Sequence, residues 1–315
     1  MSSPTRVYMD VDPGIDDALA MAAALGCVDL QGVSTVAGNV PLDHTFSNAL
    51  QILRRAGRLH DISVVRGSSE PLFAPLATAD HIHGSDGLAG YGQPESVSNP
   101  ISKVPGWVWL GDQLADSATP AALIATGPLT NIARLMMGLP HCASHYQTLA
   151  IMGGARRQGN TSPTAEFNFY TDPDAADWVL GHAHHVRLVG LEVCRQTRVP
   201  VDALHPLAKM GPFGQFLWQL LTPYAMAMGR RSPNPTLVLY DVLAVAALAQ
   251  PDLFVWGEES LAVVREGQWR GTVIAIPQSD NRPAIAVAES VDVPRFYEWF
   301  WQAVHQSTSL AARNG

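Results

Sequence analysis

Lysine is almost missing from this chain: Lys103 and Lys209 are the only two, so nearly all of the 20 positive charges are arginines. No basic run occurs, and 28 acidic residues bring the formal net charge to −8. A surface that tracks nucleic-acid phosphates needs clustered Lys and Arg, so the composition argues against such a partner. Cysteine is scarce as well. Cys27, Cys142 and Cys194 lie far apart with no Cys-x-x-Cys spacing, which suggests neither a disulfide framework nor a zinc knuckle. They read as small buried hydrophobes of a reducing compartment. No apolar run reaches the roughly 20 residues of a membrane span. Charges arrive within the first dozen positions, unlike a secretory leader, so a cytoplasmic location without a membrane partner is expected. Charged residues amount to only 15% against 47% hydrophobic, the opposite of a disordered chain.

What is present is an alternation of short apolar runs with longer Ala- and Leu-rich stretches. Val7 to Val11 reads as a strand, Ile15 to Leu25 as the helix after it, Leu30 to Val36 as a second strand and Leu42 to Ala56 as a long helix. Ile62 to Arg66, Ala121 to Ala125, Thr148 to Met152 and Arg187 to Leu191 have strand length, and helices begin near Thr130, Pro173 and Tyr240. The segment Ala262 to Ala288, broken by Gly267, Gly271 and Pro277, reads as an antiparallel addition or hairpin, and Pro294 to Gln306 as a final helix. Strand and helix taking turns predict a mostly parallel sheet flanked by helices. No linker or repeat divides residues 1–315, so one α/β domain is expected. Ligands of such sheets bind beyond the carboxyl ends of the strands.

The polar residues gather at those ends. Asp10, Asp12, Asp16 and Asp17 put four carboxylates within eight positions, with Pro13-Gly14 turning the chain between them. Asp10 and Asp12 share one side of the strand, and the second pair sits at the mouth of the next helix. Either of Asp16 and Asp17 alone is explained as a helix cap, but capping does not account for the strand pair. Like charges this close need raised pKa values or a cation among them. Carboxylate oxygens without His or Cys select a hard ion such as Ca²⁺ or Mg²⁺.

The segment Asp10-Val-Asp-Pro-Gly-Ile-Asp-Asp17 resembles the N-terminal fingerprint of the inosine–uridine preferring nucleoside hydrolases, which are ribonucleoside N-ribohydrolases. The likeness continues in order through Val36-Ala-Gly-Asn39, His81-Ile-His-Gly84, Ala125 to Asn131, Met152-Gly-Gly154, Asn160, Ala165-Glu-Phe-Asn168 and Tyr240-Asp241. It implies the nucleoside hydrolase fold and Ca²⁺-dependent hydrolysis of the N-glycosidic bond of ribonucleosides to ribose and a free base. Asp12 would be both a calcium ligand and the base that activates water. Asp17, the Thr126 carbonyl and Asp241 would complete the metal site. Asp10 and Asp16 would support the site and meet ribose hydroxyls, together with Asn39, Met152, Asn160, Glu166 and Asn168. A homodimer or homotetramer is also implied. The residue types suit the chemistry, because calcium accepts six to eight oxygens and glycoside cleavage builds positive charge on the sugar ring.

One position departs from the pattern. The family's best-known branch has a histidine before the last metal ligand, to protonate the departing base, and a purine-preferring branch has a tryptophan. Here it is Tyr240. A phenol is a weak acid near neutrality but a good donor and a stacking surface, so base preference and the leaving-group acid stay open between Tyr240 and His83. Resemblance places His83 near the base, on a loop that closes over the substrate. The composition of Asp80 to Gly92 reads as a solvated loop, and no third and fourth ligands support a His-x-His zinc site. Tyr224, in the helical segment Phe213 to Met228, is open between a base contact and core packing. His182, His184 and His185 read as helix-end surface residues. Asp172-Pro173-Asp174 reads as a cap followed by Pro at the first helical position, outside the site.

Three other readings compete. A non-catalytic nucleoside-binding protein would keep the ribose site, and a hydrolase of another riboside, such as nicotinamide riboside, would keep the chemistry. A haloacid-dehalogenase-like phosphatase also begins with Asp-x-Asp. It usually has Thr or Val where Gly14 stands and a lysine at a later strand end, which neither Lys103 nor Lys209 clearly provides.

Overall fold

The computed structural model describes residues 5–92, 104–115, 121–229, 235–278 and 282–314; Lys103 falls outside them. In chain order the first half contains β1 (Arg6–Val11), α1 (Ile15–Cys27), β2 (Asp29–Thr35), α2 (Leu42–Arg55), β3 (Ser63–Arg66), α3 (Asp80–His83), α4 (Gly106–Leu114), β4 (Ala121–Ala125), α5 (Thr130–Gly138), α6 (Pro140–Ala143) and β5 (Tyr146–Met152). The second half contains α7 (Phe167–Thr171), α8 (Pro173–His182), β6 (Val186–Val189), α9 (Leu191–Cys194), β7 (Arg198–Pro200), α10 (Gly211–Gly229), β8 (Thr236–Val238), α11 (Tyr240–Ala249), β9 (Phe254–Val263), β10 (Val273–Ile276), β11 (Ile285–Val291) and α12 (Val293–Asn314).

Nine strands form one sheet in the order β10-β9-β11-β6-β5-β4-β1-β2-β3, and β7 pairs with β8 in a small second sheet. From β3 across to β11 every neighbour is parallel. In the large sheet the antiparallel pairs are β11–β9 and β9–β10, and β7 and β8 are antiparallel as well. The succession β3-β2-β1-β4-β5-β6 reverses direction between β1 and β4, a topological switch point where doubly wound sheets open a crevice.

Two apolar layers cover the sheet. One is built from α1, α10, α11 and α12; the other carries residues of α4, α5 and α8. α1 is apolar nearly all round, with Ala20, Ala22, Ala23 and Ala24 fully buried, as befits a helix enclosed by protein. α11 is buried in the same way from Tyr240 to Ala247. Among the described residues no helix is long and apolar enough to cross a membrane.

The expected elements differ from these in four places. The antiparallel addition starts at Phe254, well before Ala262. The run to Leu191 leaves the strand at Val189 and becomes α9. The last helix continues past Gln306 to Asn314. Asp80 to His83, read as loop, is a helical turn.

Candidate active site

The carboxyl ends of β1 and β4 lie side by side at the switch point. Asp10 is in register with Ala125, and the Thr126 amide donates to the Asp10 carbonyl at 3.0 Å. The chain leaving β1 therefore sets Asp12 in the crevice before α1 begins. The N-termini of α1 and α11, two buried helices, bring Asp16, Asp17 and Asp241 in their first turns. Helix N-termini favour negative charge, so the two dipoles offset part of the cost of gathering these carboxylates.

Each carboxylate has a defined environment. Asp10 lies behind the crevice: its Oδ1 accepts from Ser34 Oγ and, at 2.8 Å, from Asn131 Nδ2. Asp12 Oδ2 accepts from the Asn39 amide at 2.7 Å. Asp17 accepts from the Gly14 amide at 2.9 Å, Thr126 Oγ1 at 2.7 Å and Asn39 Nδ2 at 3.3 Å. Asp16 Oδ2 accepts from the Tyr224 hydroxyl at 3.3 Å. Asp12 Oδ1 and Asp16 Oδ1 are buried without a hydrogen-bond partner, a costly state for carboxylate oxygens unless something else neutralises them. Burial, reinforced by neighbouring negative charge, pushes Asp12 and Asp241 well above the usual carboxylate range. The same causes bring Asp17 to about 7, while burial brings Asp16 to about 6. Oxygens of Asp16, Asp17 and Asp241 come within 4.8 Å of one another. An all-oxygen, multiply anionic cluster with orphaned oxygens fits a hard divalent cation.

The turns around Asp12 are shaped for it. A Cβ at Gly38 would lie 2.0 Å from Asp12 Oδ2, and one at Gly127 would lie 2.8 Å from Oδ1. Only glycine lets both turns close on this carboxylate.

Above the cluster opens a pocket of about 370 Å³, within the range of small-molecule sites. Asp16, Asn39, Thr126, Met152, Asn160, Glu166, Asn168 and Asp241 line its polar side. Ala77 to Ala79, His81 to His83, Tyr224 and Tyr240 line the rest. Asn168 donates its amide hydrogens to the carbonyls of Thr126 at 2.7 Å and Met152 at 3.2 Å, which leaves its oxygen to meet a ligand. Glu166 accepts from the amides of Gly154 at 2.9 Å, Asn168 at 2.8 Å and Phe169 at 3.1 Å. It thereby caps α7, and burial still raises it to about 7. A more open groove of about 870 Å³ beside α12 is lined by Pro206, Met210, Trp301 and their neighbours and includes no carboxylate.

His83 is buried, contrary to a solvated loop. The Ile15 amide donates to its Nδ1 at 3.1 Å, so the ring proton sits on Nε2. Burial lowers its pKa to about 4, making it a neutral donor at physiological pH. Its ring tilts against Tyr224, 5.2 Å between centroids. Gly14 makes room for it, since a Cβ there would lie 2.6 Å from Nδ1. The Tyr240 phenol is raised far above its ordinary value, chiefly by burial.

Of the expected residues, Asp16, Asn39, His83, Thr126, Met152, Asn160, Glu166, Asn168, Tyr240 and Asp241 line the pocket, whereas Asp10, Asp12 and Asp17 are buried and do not line it. Tyr224 proves to be both core and pocket wall. Asn131, Ser34 and Thr78 were given no role from sequence. Asn131 lies inside the motif of Ala125 to Asn131, and its side chain ties Asp10 to the Ser68 amide at 2.8 Å and the Thr35 carbonyl at 3.1 Å. Asp172 is the expected cap of α8, accepting from the Ala175 amide at 3.0 Å. Lys209 closes a run of 3-10 turns rather than a strand, and so lends no support to a phosphatase.

A carboxylate cluster fit for a cation, beside a pocket rich in amide and carboxylate side chains, thus lies at the switch point of a doubly wound sheet. Comparison with known proteins supplies the class. Residues 7–298 match the family model of the inosine-uridine preferring nucleoside hydrolases. The non-specific ribonucleoside hydrolase RihC of Salmonella typhimurium is 37% identical over 304 residues, spanning 95% of this chain and 97% of that one. Among solved structures, the plant nucleoside hydrolase PpNRh1 superposes with a TM-score of 0.88 at 29% identity, covering 96% of this chain and 99% of its own. The purine-preferring ribonucleoside hydrolase from Gardnerella vaginalis gives 0.88 at 28% identity, covering 98% and 99%. The chain belongs to the inosine–uridine preferring nucleoside hydrolase family and is a hydrolase of N-glycosyl compounds.

Proposed function

We propose that the protein hydrolyses ribonucleosides to ribose and free base with a bound Ca²⁺. The observation that carries this is the cluster of Asp16, Asp17 and Asp241, beside a pocket lined by Asn160, Glu166 and Asn168. Asp12 is close enough to feel the charges of Asp16 and Asp17, and Asp12 and Asp16 carry unpartnered oxygens. Asp12, Asp17, Asp241 and the Thr126 carbonyl hold the ion in this reading, with Asp16 beside them. When bound, the cation keeps these carboxylates ionised and lowers the pKa of a nearby water.

Asp12 is the base. Its Oδ2 is held by the Asn39 amide, and its unpartnered Oδ1 takes a proton from the attacking water. Water oxygen bonds to the anomeric carbon as the carbon–nitrogen bond breaks. Positive charge gathers on the ribose ring, where Asp16, the Asn168 oxygen and Glu166 stabilise it. The bonding electrons leave with the base, which gains a proton. His83, locked as the Nε2–H tautomer, and Tyr240 face this end as hydrogen-bond donors. With His83 lowered and Tyr240 raised, neither is tuned as a proton-transfer acid near pH 7, and solvent completes the protonation. Tyr240 packs on the base.

Among the described residues that line the pocket there is no arginine or lysine to meet a phosphate, which favours neutral nucleosides over nucleotides. Similarity to the non-specific ribonucleoside hydrolase of Salmonella supports a broad base range. The protein works as a cytoplasmic homodimer or homotetramer in this reading.

The test is a reducing-sugar assay on inosine, adenosine, guanosine, uridine and cytidine. Ribose release from several of them supports the proposal. Saturable binding without release would make this a nucleoside-binding protein, and release from nicotinamide riboside alone would move the substrate.

A further inference from the structure

The pocket's Asn160 stands on an exposed loop, residues 155–165, that leaves the carboxyl end of β5 and returns at Glu166. Within the loop, the amides of Asn160 and Thr161 reach the Ala165 carbonyl at 3.1 and 3.2 Å, and the Gly159 amide reaches the Pro163 carbonyl at 3.0 Å. These bonds fold the loop upon itself but do not fasten it over the pocket.

The ends of the loop are tied to the antiparallel part of the sheet by the Arg156–Glu259 ion pair and the Thr164–Thr272 hydroxyl contact at 2.6 Å. The stretch leading to Asn160 is fastened by the segment after β6. Glu192 Oε1, on α9, accepts from two successive amides, Arg156 and Arg157, each at 3.0 Å. Arg195, three residues on, donates from Nη1 to the Gln158 carbonyl at 2.8 Å and from Nη2 to the Gly159 carbonyl at 2.9 Å. A carboxylate thus holds the loop where it starts, and a guanidinium holds it immediately before Asn160. The planar fork of arginine spans two adjacent carbonyls, which a lysine ammonium cannot match. Both charges are spent on backbone, and neither residue lines the pocket.

We propose that Glu192 and Arg195 are positioning residues for Asn160, fixing its amide where it meets the sugar of the bound nucleoside. This rests on the assignment of Asn160 to the ribose. Charge-assisted bonds of this kind are stronger than neutral ones, so the arrangement orders an otherwise exposed loop before substrate arrives. The order is needed in binding sugar rather than in breaking the bond.

The experiment is a double-mutant cycle on the full enzyme with calcium present, reading KM and kcat for inosine. Arg195→Ala is expected to raise KM by about tenfold or more, the scale of one charge-assisted hydrogen bond, with kcat within about threefold by the same reasoning. Asn160→Ala is expected to raise KM similarly. In the Asn160→Ala background, Arg195→Ala is expected to add little, because residues that act through one another couple. Arg195→Lys should recover only part of the loss, and Glu192→Gln should behave as a milder Arg195→Ala. Additive effects of Arg195→Ala and Asn160→Ala, or a fall in kcat with KM unchanged, overturn the proposal. If Asn160→Ala alone leaves KM untouched, the ribose assignment fails and the proposal with it. A normal effect of Asn160→Ala beside a silent Arg195→Ala defeats the clamp alone. Arg195→Lys and Glu192→Gln keep the test open should Arg195→Ala not fold.

Discussion

Asp12, Asp16 and Asp17 share one short segment, and their spacing alone placed them at a strand end and a helix start. That much was legible because strand and helix periodicity fix where nearby side chains point. The other wall of the pocket was not. Tyr224 meets Asp16 across 208 positions of sequence, and no local pattern announces such a contact. His83 misled for a different reason. Its polar, Gly-rich surroundings suggest solvent, yet the missing side chain at Gly14 lets the ring sink against Ile15. The phenol of Tyr240, raised by burial, is a poor acid near neutrality. Tyr240→Phe is therefore expected to keep kcat within a few-fold for inosine, since general-acid catalysis is worth about 10²–10⁴ only where the pKa is matched. A hundredfold fall in steady-state kcat would assign Tyr240 the proton.

At the scale of elements, the starts of α5, α8 and α11 were readable, because Pro173 behind its Asp172 cap and the onset of apolar periodicity mark them. Ends were less so. The run Ser307-Thr308 looks like a stop, but both hydroxyls donate to the Val304 carbonyl, at 3.0 and 2.9 Å, and α12 continues. The start of β9 was hidden because Gly257-Glu258-Glu259 interrupt the apolar pattern between Trp256 and Leu261. The turn between β2 and α2 carries a sharper consequence. A methyl group at Gly38 would overlap Asp12 Oδ2, so Gly38→Ala is expected to displace the base. Turnover should fall by about 10²-fold or more, the worth of a general base, while circular dichroism stays native. Unaltered kcat in a folded Gly38→Ala protein would show that Asp12 tolerates displacement.

For the whole molecule, gathering buried carboxylates at one switch point links stability to pH and to the cation. Asp16 and Asp17 titrate near 6 and 7 in the fold against an ordinary 3.8. Between those values the folded chain holds protons that the unfolded chain has lost, so these carboxylates make stability decline as pH rises from about 4 to 7. With Asp10 and Glu166 raised as well, they outnumber His83, whose lowered pKa acts in the opposite direction. Metal-stripped protein is accordingly expected to melt higher at pH 5 than at pH 7.5. Asp17→Asn should flatten that dependence, and calcium should remove most of it at pH 7.5. Thermal melts across this range check the sign; a stripped protein that gains stability with pH would contradict the burial argument. Alternating strands and helices made the mostly parallel sheet legible, but the strand order, and with it the switch point between β1 and β4, came only from the pairing. The antiparallel addition near the end of the chain was legible as well, and the pairing of β9 with β11 docks it on the parallel sheet.

Nucleoside hydrolysis is proposed to depend on a cation held by this cluster. This dependence is tested most directly by ribose release from inosine and uridine before chelation, after chelation, and after return of Ca²⁺. Activity lost on stripping and restored by calcium is the result predicted here. Undiminished release from protein shown by elemental analysis to be free of divalent metal would contradict it.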